Sequence, residues 1–291
     1  MRRSWSHSNC IAAAWLAIVA MAGACSPLSV YNALSPADAA ALPAALDLAY
    51  GRDKRQRLDV YIPAIKPKSA PIVVFFYGGS WSSGRKQDYE FVGKALASRG
   101  FVTIVADYRL VPAVRFPDFL DDCALATLWA YTNAAKYGGD PSRLFLLGHS
   151  AGAYNAAMVA LDGRYLEALG SRTSIIRGAA LLAGPYDFLP LDVSATIAAF
   201  GQAKALPETQ PITFASAAAP PMFLATGADD TTVNPRNTRA LADRLQAGGR
   251  PATVRAYPGV GHVSILLALS LPFRAKAPVL DDIAAFIASS N

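Results

Sequence analysis

The sequence predicts an α/β domain with a mostly parallel central sheet, helices on both faces and a small cap. Three observations carry this. From about residue 45 onwards, apolar strand-like runs alternate with helix-like stretches, the order that buries a parallel sheet between two helical layers. The length, 291 residues, suits one such domain with an ample core. Hydrophobic residues make up 53%, with 21 glycines and 20 prolines as punctuation, a globular profile and not a disordered one.

The first 25 residues have another character. Arg2 and Arg3 precede an apolar run, Ile11 to Met21, and then Ala22-Gly23-Ala24-Cys25-Ser26-Pro27. A charged start, a short apolar stretch and a small-residue cleavage site read as an export signal. The run is too short for a comfortable transmembrane helix. Two processing routes stay open, besides a retained signal anchor. Ala22-Gly23-Ala24 fits a plain secretory cut, giving a periplasmic or secreted protein. Met21 to Cys25 resembles a bacterial lipobox, with Ala22 where Leu is usual, which would attach lipid to Cys25 and anchor the protein to a membrane. Ser26 in place of Asp favours the outer membrane, facing the periplasm or the cell surface. The cysteine count agrees with export: Cys10 leaves with the signal and Cys25 begins the mature chain. Cys123 is then alone and can form no internal disulfide. The expected organisation is signal 1–24, an Ala/Ser/Pro-rich tether 25–44, and one domain 45–291.

Within the domain each element has its own signal. Leu46–Tyr50 and Leu58–Ile62 flank the polar turn Gly51-Arg52-Asp53-Lys54 and read as opening strands. Ile72–Tyr77 is rich in branched and aromatic residues, as a buried strand is. A helix is expected across 86–99, stopped by Gly100. Phe101–Tyr108 is the next strand. Phe116–Tyr137 reads as a long helix ended by Gly138-Gly139-Asp140-Pro141, and Arg143–Leu147 as a short strand. A helix begins near Ala151 and a strand covers Arg177–Ala183. Residues 187–219 are irregular and apolar, a candidate cap. Pro221–Thr226, the amphipathic helix Asn237–Ala247 and the strand Ala252–Tyr257 follow, with a helical region closing the chain.

Gly148-His149-Ser150-Ala151-Gly152 fits G-x-S-x-G. By itself this is weak, since Gly and Ser at about 7% each produce it by chance roughly once in ten chains of this size. Its place between an apolar strand and a helix makes it specific: the motif needs a tight strand–turn–helix that holds the serine out at the end of the sheet. A serine hydroxyl needs an adjacent base. Past the signal only His149 and His262 remain. His149 adjoins the nucleophile on a turned backbone and reads as a packing or supporting residue, which leaves His262, in a glycine-flanked loop after the last strand. The imidazole needs a carboxylate to fix its tautomer; of the acids between Ser150 and His262, only Asp229 and Asp230 directly follow a buried strand in the right part of the chain. An oxyanion needs N–H donors. Ala151, next to the nucleophile, is one candidate, and the glycine-rich loop Tyr77-Gly78-Gly79-Ser80-Trp81 offers Gly79 and Ser80.

With these pieces placed, the sequence resembles the carboxylesterase/lipase branch of the α/β-hydrolases that carries an HGGxW loop, which includes hormone-sensitive-lipase-like and feruloyl-esterase-like enzymes. The likeness runs from about Leu46 to Phe286. Besides the elbow it rests on Tyr77-Gly78-Gly79-Ser80-Trp81, Asp107-Tyr108-Arg109-Leu110, Phe116-Pro117, Gly138-Gly139-Asp140-Pro141, Asp230 and His262. It implies a catalytic triad of Ser150, Asp230 and His262, with Asp230 favoured over Asp229 by the pattern G-x-x-D-x-x-V at Gly227, Asp230 and Val233. It implies an oxyanion hole of Gly79, Ser80 and Ala151, an acyl-enzyme mechanism on small-molecule esters, and no cofactor. Asp107-Tyr108-Arg109 is expected to shape the floor of the site. One departure stands out: Tyr77 occupies the usual His position, so the hydrogen bonds behind the loop must differ.

Other classes find little support. The net charge of +6 is scattered, and two of the six belong to Arg2 and Arg3. No basic run with interleaved aromatics suggests nucleic-acid binding, and no His/Cys spacing suggests a metal. The same triad would serve amides, formamides, lactones or acyl transfer. A silent fold used as a binding module would ordinarily have lost one of these residues. Ile265 to Leu269 reads as core helix or as part of an apolar pocket.

Overall fold

Runs of branched and aliphatic residues form the middle of one eight-stranded sheet. The structure, a computed structural model, describes residues 27–290; the signal sequence, Cys10 and Cys25 lie outside the described residues. In chain order the elements are α1 (Pro27–Leu34), β1 (Ala41–Ala49), β2 (Arg57–Pro63), β3 (Ala70–Phe76), α2 (Glu90–Ala97), β4 (Val102–Ala106), α3 (Asp118–Asn133), β5 (Gly139–His149), α4 (Ala151–Leu161), α5 (Arg164–Glu167), β6 (Ile176–Leu182), α6 (Ser194–Phe200), α7 (Pro211–Phe214), β7 (Met222–Gly227), α8 (Arg236–Ala247), β8 (Thr253–Tyr257), α9 (His262–Leu267) and α10 (Val279–Ser289). The spatial order is β1-β2-β4-β3-β5-β6-β7-β8. The first two pairings, β1 with β2 and β2 with β4, are antiparallel and the others parallel.

Strands β3, β4 and β7 are buried along their whole length, because helices cover both faces; such strands show unbroken apolar runs and no alternation. Helices α3 and α4 pack on one face, α2 and α10 on the other. Helix α10 shows why a helix lies there: Val279, Leu280, Ile283, Phe286 and Ile287 recur at helical spacing and are buried. Phe286 meets Phe145 of β5 and Phe223 of β7. The edges differ. Strand β1 carries Pro43 and two register shifts, and β8 exposes all but Tyr257. Proline, bulges and charge keep edge strands from pairing further. Among the described residues no helix is long and apolar enough to cross a membrane.

Chain order places the site. From β3 the chain steps to β4 on one side, then returns to β5 on the other. Ligands of open α/β sheets sit where order reverses, beyond the carboxyl ends of the strands. Here the end of β3 leads into Tyr77-Gly78-Gly79 and the end of β5 into Ser150.

Three regions differ from the expectation. The tether assigned to 25–44 is ordered where described. Tyr31 of α1 lies edge-on to Phe91 and beside Phe273, Ser29 donates to Asp88, and β1 begins at Ala41. Short docked helices carry little periodic signal, so composition alone reads as a linker. Strand β5 starts at Gly139, four residues early, because Ala70 of β3 pairs with Gly139 across the turn-like Gly-Asp-Pro. The segment 187–219 is not wholly irregular, since α6 and α7 lie within it. Ile265, Leu266, Ala268 and Leu269 are core.

A buried ion pair ties β2 to the loop after β3. Lys86 and Asp59 are each 2% exposed, with Nζ 2.8 Å from Oδ1, and the Asp59 carboxylate also accepts from the Asp47 amide. Removing one member of such a pair strands a buried charge at a cost of about 3–5 kcal/mol. Asp59→Ala is therefore expected to lower the urea-unfolding free energy by about that much, and Asp59→Leu combined with Lys86→Met to recover most of it.

Candidate active site

The turn after β5 dictates the position of Ser150. Its backbone sits at φ 56°, ψ −125°, in the left-handed half of φ that side chains disfavour. Crowding forces this. A Cβ on Gly148 would lie 2.2 Å from the Gly152 carbonyl oxygen, and one on Gly152 would lie 2.0 Å from that of Phe76. The amide of Ser150 is tied to Leu182 O at 2.9 Å, fixing the turn to β6. Helix α4 starts at the next residue, so its unpaired N-terminal amides and dipole lie at the serine.

Two further strand ends supply an imidazole and a carboxylate. Ser150 Oγ donates to His262 Nε2 at 2.9 Å, and His262 Nδ1 donates to Asp230 Oδ2 at 2.8 Å. The other oxygen of Asp230 accepts from the amides of Thr232 and Val233, each at 2.9 Å. Burial pushes the Asp230 carboxyl up, but the bonds from His262 and the two amides outweigh it and hold it below its ordinary value. Among the described residues the His262 ring pairs with Asp230 and has no hydrogen bond to Asp229, whose amide pairs with Val260 O. Ser150, Ala151 and Ser80 share a cavity of about 280 Å³ whose walls include Trp81, Phe188 and Val193. Gly79 lies one residue back, at φ 125°, and its carbonyl caps the turn by accepting from the amides of Ser82 and Ser83.

The loop from Tyr77 to Lys86 is held by Arg55, which the sequence did not single out, and by Asp107, which it placed in the floor of the site. Tyr77 donates to Asp107 Oδ1 at 2.5 Å and accepts from Arg55 at 2.8 Å. Arg55 also donates to Gly84 O and Tyr108 O, each at 2.9 Å, and the Lys86 amide donates to the same Asp107 oxygen. Both ends of the loop are thus tied to one arginine and one aspartate. Burial raises the Asp107 carboxyl, and the Tyr77 bond and Arg55 partly offset that. Arg109 makes a multiply bonded pair with buried Asp122. Asp107 and Tyr108 thus brace the loop, Tyr108 by donating to Tyr77 O at 2.8 Å, while Arg109 ties its own segment to α3. Farther along the loop, Ser80 and Trp81 have φ of 53° and 56°, a costly conformation for a bulky residue. Trp81 is pinned by donating to Asn155 Oδ1 at 3.0 Å and by edge-on contacts with Phe200 and Tyr154. An asparagine in mid-helix gives no sequence signal for such a task. Among the described residues no group of three or more His, Cys, Asp or Glu side chains is placed to hold a metal ion.

His149 is buried, with Nε2 donating to the carbonyl oxygen of His262 at 2.9 Å. Burial first, and the neighbouring His262 second, push its imidazole down to about 3.

Comparison with known proteins gives a concordant picture. The family model BD-FAE matches residues 58–245. A probable isoprenylcysteine alpha-carbonyl methylesterase of Oryza sativa subsp. japonica is 30% identical over 75% of this chain and 58% of its own. Esterase LipC of Mycobacterium tuberculosis is 31% identical over 73% of this chain and 58% of its own. The chain thus spans under two thirds of the length of these curated relatives. Among solved structures, esterase B from Lactobacillus rhamnosis superposes with a TM-score of 0.79 at 21% identity, over 97% of this chain and 94% of that one. A truncated carbohydrate esterase from gut microbiota gives 0.76 at 19%, over 88% and 99%. At such identities the likeness is one of fold.

The burial of His149 has a consequence for stability. Its folded-state pKa lies below the ordinary value of about 6.5, so the unfolded chain takes up the proton first. The fold should lose stability as pH falls from about 6.5 towards about 3, by at most about 1.4 kcal/mol per unit, and be indifferent to this group above that window. Urea midpoints across the window are expected to fall less steeply for His149→Gln than for the wild type.

Proposed function

The chain belongs to the BD-FAE family and has the α/β-hydrolase fold, and we propose that it is a serine carboxylesterase acting on small-molecule esters through Ser150, His262 and Asp230. The observation that carries this reading is the unbroken hydrogen-bond chain from Ser150 Oγ through both nitrogens of His262 to Asp230, opening on a cavity flanked by Ser80 and Ala151. The two relatives described above, a probable methylesterase and an esterase, have an ester bond in common.

The steps follow from the geometry. Asp230 holds His262 as the Nδ1–H tautomer, leaving Nε2 bare to take the proton of Ser150. Oγ attacks the ester carbonyl carbon, and the oxyanion that forms is stabilised by the amides of Ala151 and Ser80, with Gly79 as a further donor. The imidazolium passes its proton to the alcohol oxygen, the C–O bond breaks and the alcohol leaves. Water enters, gives a proton to Nε2 and attacks the acyl carbon. The acid departs as Oγ recovers its proton. The fixed carboxylate, below its ordinary pKa, stays charged while the imidazolium exists.

Export, with lipid attached at Cys25 and an outer-membrane address, belongs to the same proposal and rests on the N-terminal residues alone. In cells that process lipoproteins, Cys25→Ser is expected to move the protein from the membrane fraction to the soluble one.

The activity is tested with p-nitrophenyl esters of increasing chain length. Wild type is expected to hydrolyse short esters, and Ser150→Ala and His262→Ala to lose at least ~10³-fold in kcat with folding intact. A folded wild type inactive on every ester would sink the reading.

A further inference from the structure

His149 is the second residue of the elbow, yet its side chain serves another segment. Its ring lies 4.8 Å from that of His262, centroid to centroid, and its Nε2 meets the backbone carbonyl oxygen of His262 at 2.9 Å. A carbonyl only accepts, so the proton is on Nε2 and Nδ1 is bare. The bare edge faces the oxyanion loop: a Cβ built on Gly78 would stand 3.2 Å from His149 Nδ1 and 2.8 Å from Ser150 Cβ. The imidazole therefore sits where the elbow, the loop after β3 and the loop after β8 converge.

The loop that carries His262 needs such a contact. It crosses from β8 through Gly259 at φ 70° and Gly261, and is held within itself by Gly261 N to Ser264 Oγ at 2.8 Å and to the loop after β7 by Asp229 N to Val260 O at 3.0 Å. Neither reaches the nucleophile's own strand. Apart from the Ser150–His262 bond that turnover itself breaks, the His149 bond joins the base's backbone to the elbow.

We propose that His149 is a positioning residue: by donating Nε2–H to the carbonyl of His262, it holds the backbone of the base in register with the nucleophile throughout the cycle. This rests on the esterase reading above. The donated bond persists when Ser150 is acylated and the Ser150–His262 bond is lost, so the imidazole stays in place for water. The titratable groups beside the ring are His262 and Asp230. An uncharged His149 adds no positive charge next to the imidazolium that forms there.

The test compares His149→Phe, which keeps a ring and loses the donor, with His149→Gln, which keeps an uncharged donor of similar reach. On p-nitrophenyl butyrate the Phe variant is expected to lose about 10- to 100-fold in kcat, as a misplaced catalytic group does, with KM within about twofold. The Gln variant should stay within about threefold of wild type. The acid limb of kcat/KM reports His262 in the free enzyme. It should move to lower pH in the Phe variant, because a loosened imidazole loses support from Asp230 for its protonated form, and stay in place in the Gln variant. A Phe variant with wild-type kcat and an unmoved limb overturns the proposal. So does a Gln variant as impaired as Phe, which would mean that ring packing alone matters. Should the Phe variant not fold, ¹⁵N–¹H spectra of wild-type histidines decide: a His149 proton on Nε2 from pH 5 to 9 is expected, and one on Nδ1 overturns it. Wild type inactive on all esters counts against the esterase reading instead, and the spectra still decide the bond.

Discussion

Gly152 stands so near the end of β3 that a Cβ there would lie 2.0 Å from the carbonyl oxygen of Phe76. This approach of backbone to backbone sets the distance between Ser150 and the loop that faces it. Sheets pack strands at a fixed spacing, so two loops leaving neighbouring strand ends come closer than that only where side chains are absent. The turn bearing Ser150 and the loop bearing Ser80 share one cavity because glycine occupies the contact. The positive φ at Ser150, the early start of α4 and the tie to Leu182 all follow from fitting a helix into that narrow gap.

Much of this was legible from residue order. Strands covered on both faces must be apolar throughout, so β3, β4, β6 and β7 stood out within a residue or two of their ends. Ser150 was legible because its motif sits at a strand–helix junction, and His262 because so few histidines compete. Asp229 and Asp230 could not be separated by burial pattern, since they adjoin in one turn; what separates them is which carboxyl the turn aims at His262. The supports were hidden for a different reason. Asn155 holds Trp81, Arg55 holds Tyr77, and Tyr31 docks α1, each across 22 or more residues of chain. Their value lies in a long-range meeting that no local pattern encodes.

The site has two kinds of polar setting. Around Asp230 a buried carboxylate is met by an imidazole and two amides, so its charge is held in place beside His262. Around Asp107 a buried carboxylate is met by a phenol, an amide and an arginine 3.6 Å away, and there it works as a bracket for backbone. Where the sequence resemblance implies an imidazole, Tyr77 stands instead and stacks between Tyr89 and Tyr108. The substitution thus comes with a complete set of partners and leaves no buried donor stranded there.

Phe200 ends α6, in the segment between β6 and β7, and its ring touches Trp81, Tyr154 and Phe188. The same segment is stitched to the body by Phe116 N to Ala199 O. Inserted segments at strand ends are usually the part of such a fold that evolution exchanges most freely, because the sheet does not notice. Here the exchange is constrained. One aromatic ring backs Phe188, which walls the cavity, and at the same time packs against Trp81, and so supports the strained loop. A change in this part of the wall therefore reaches the loop as well, and lineages that remodel the segment must replace the ring's contacts or let the loop lose its shape.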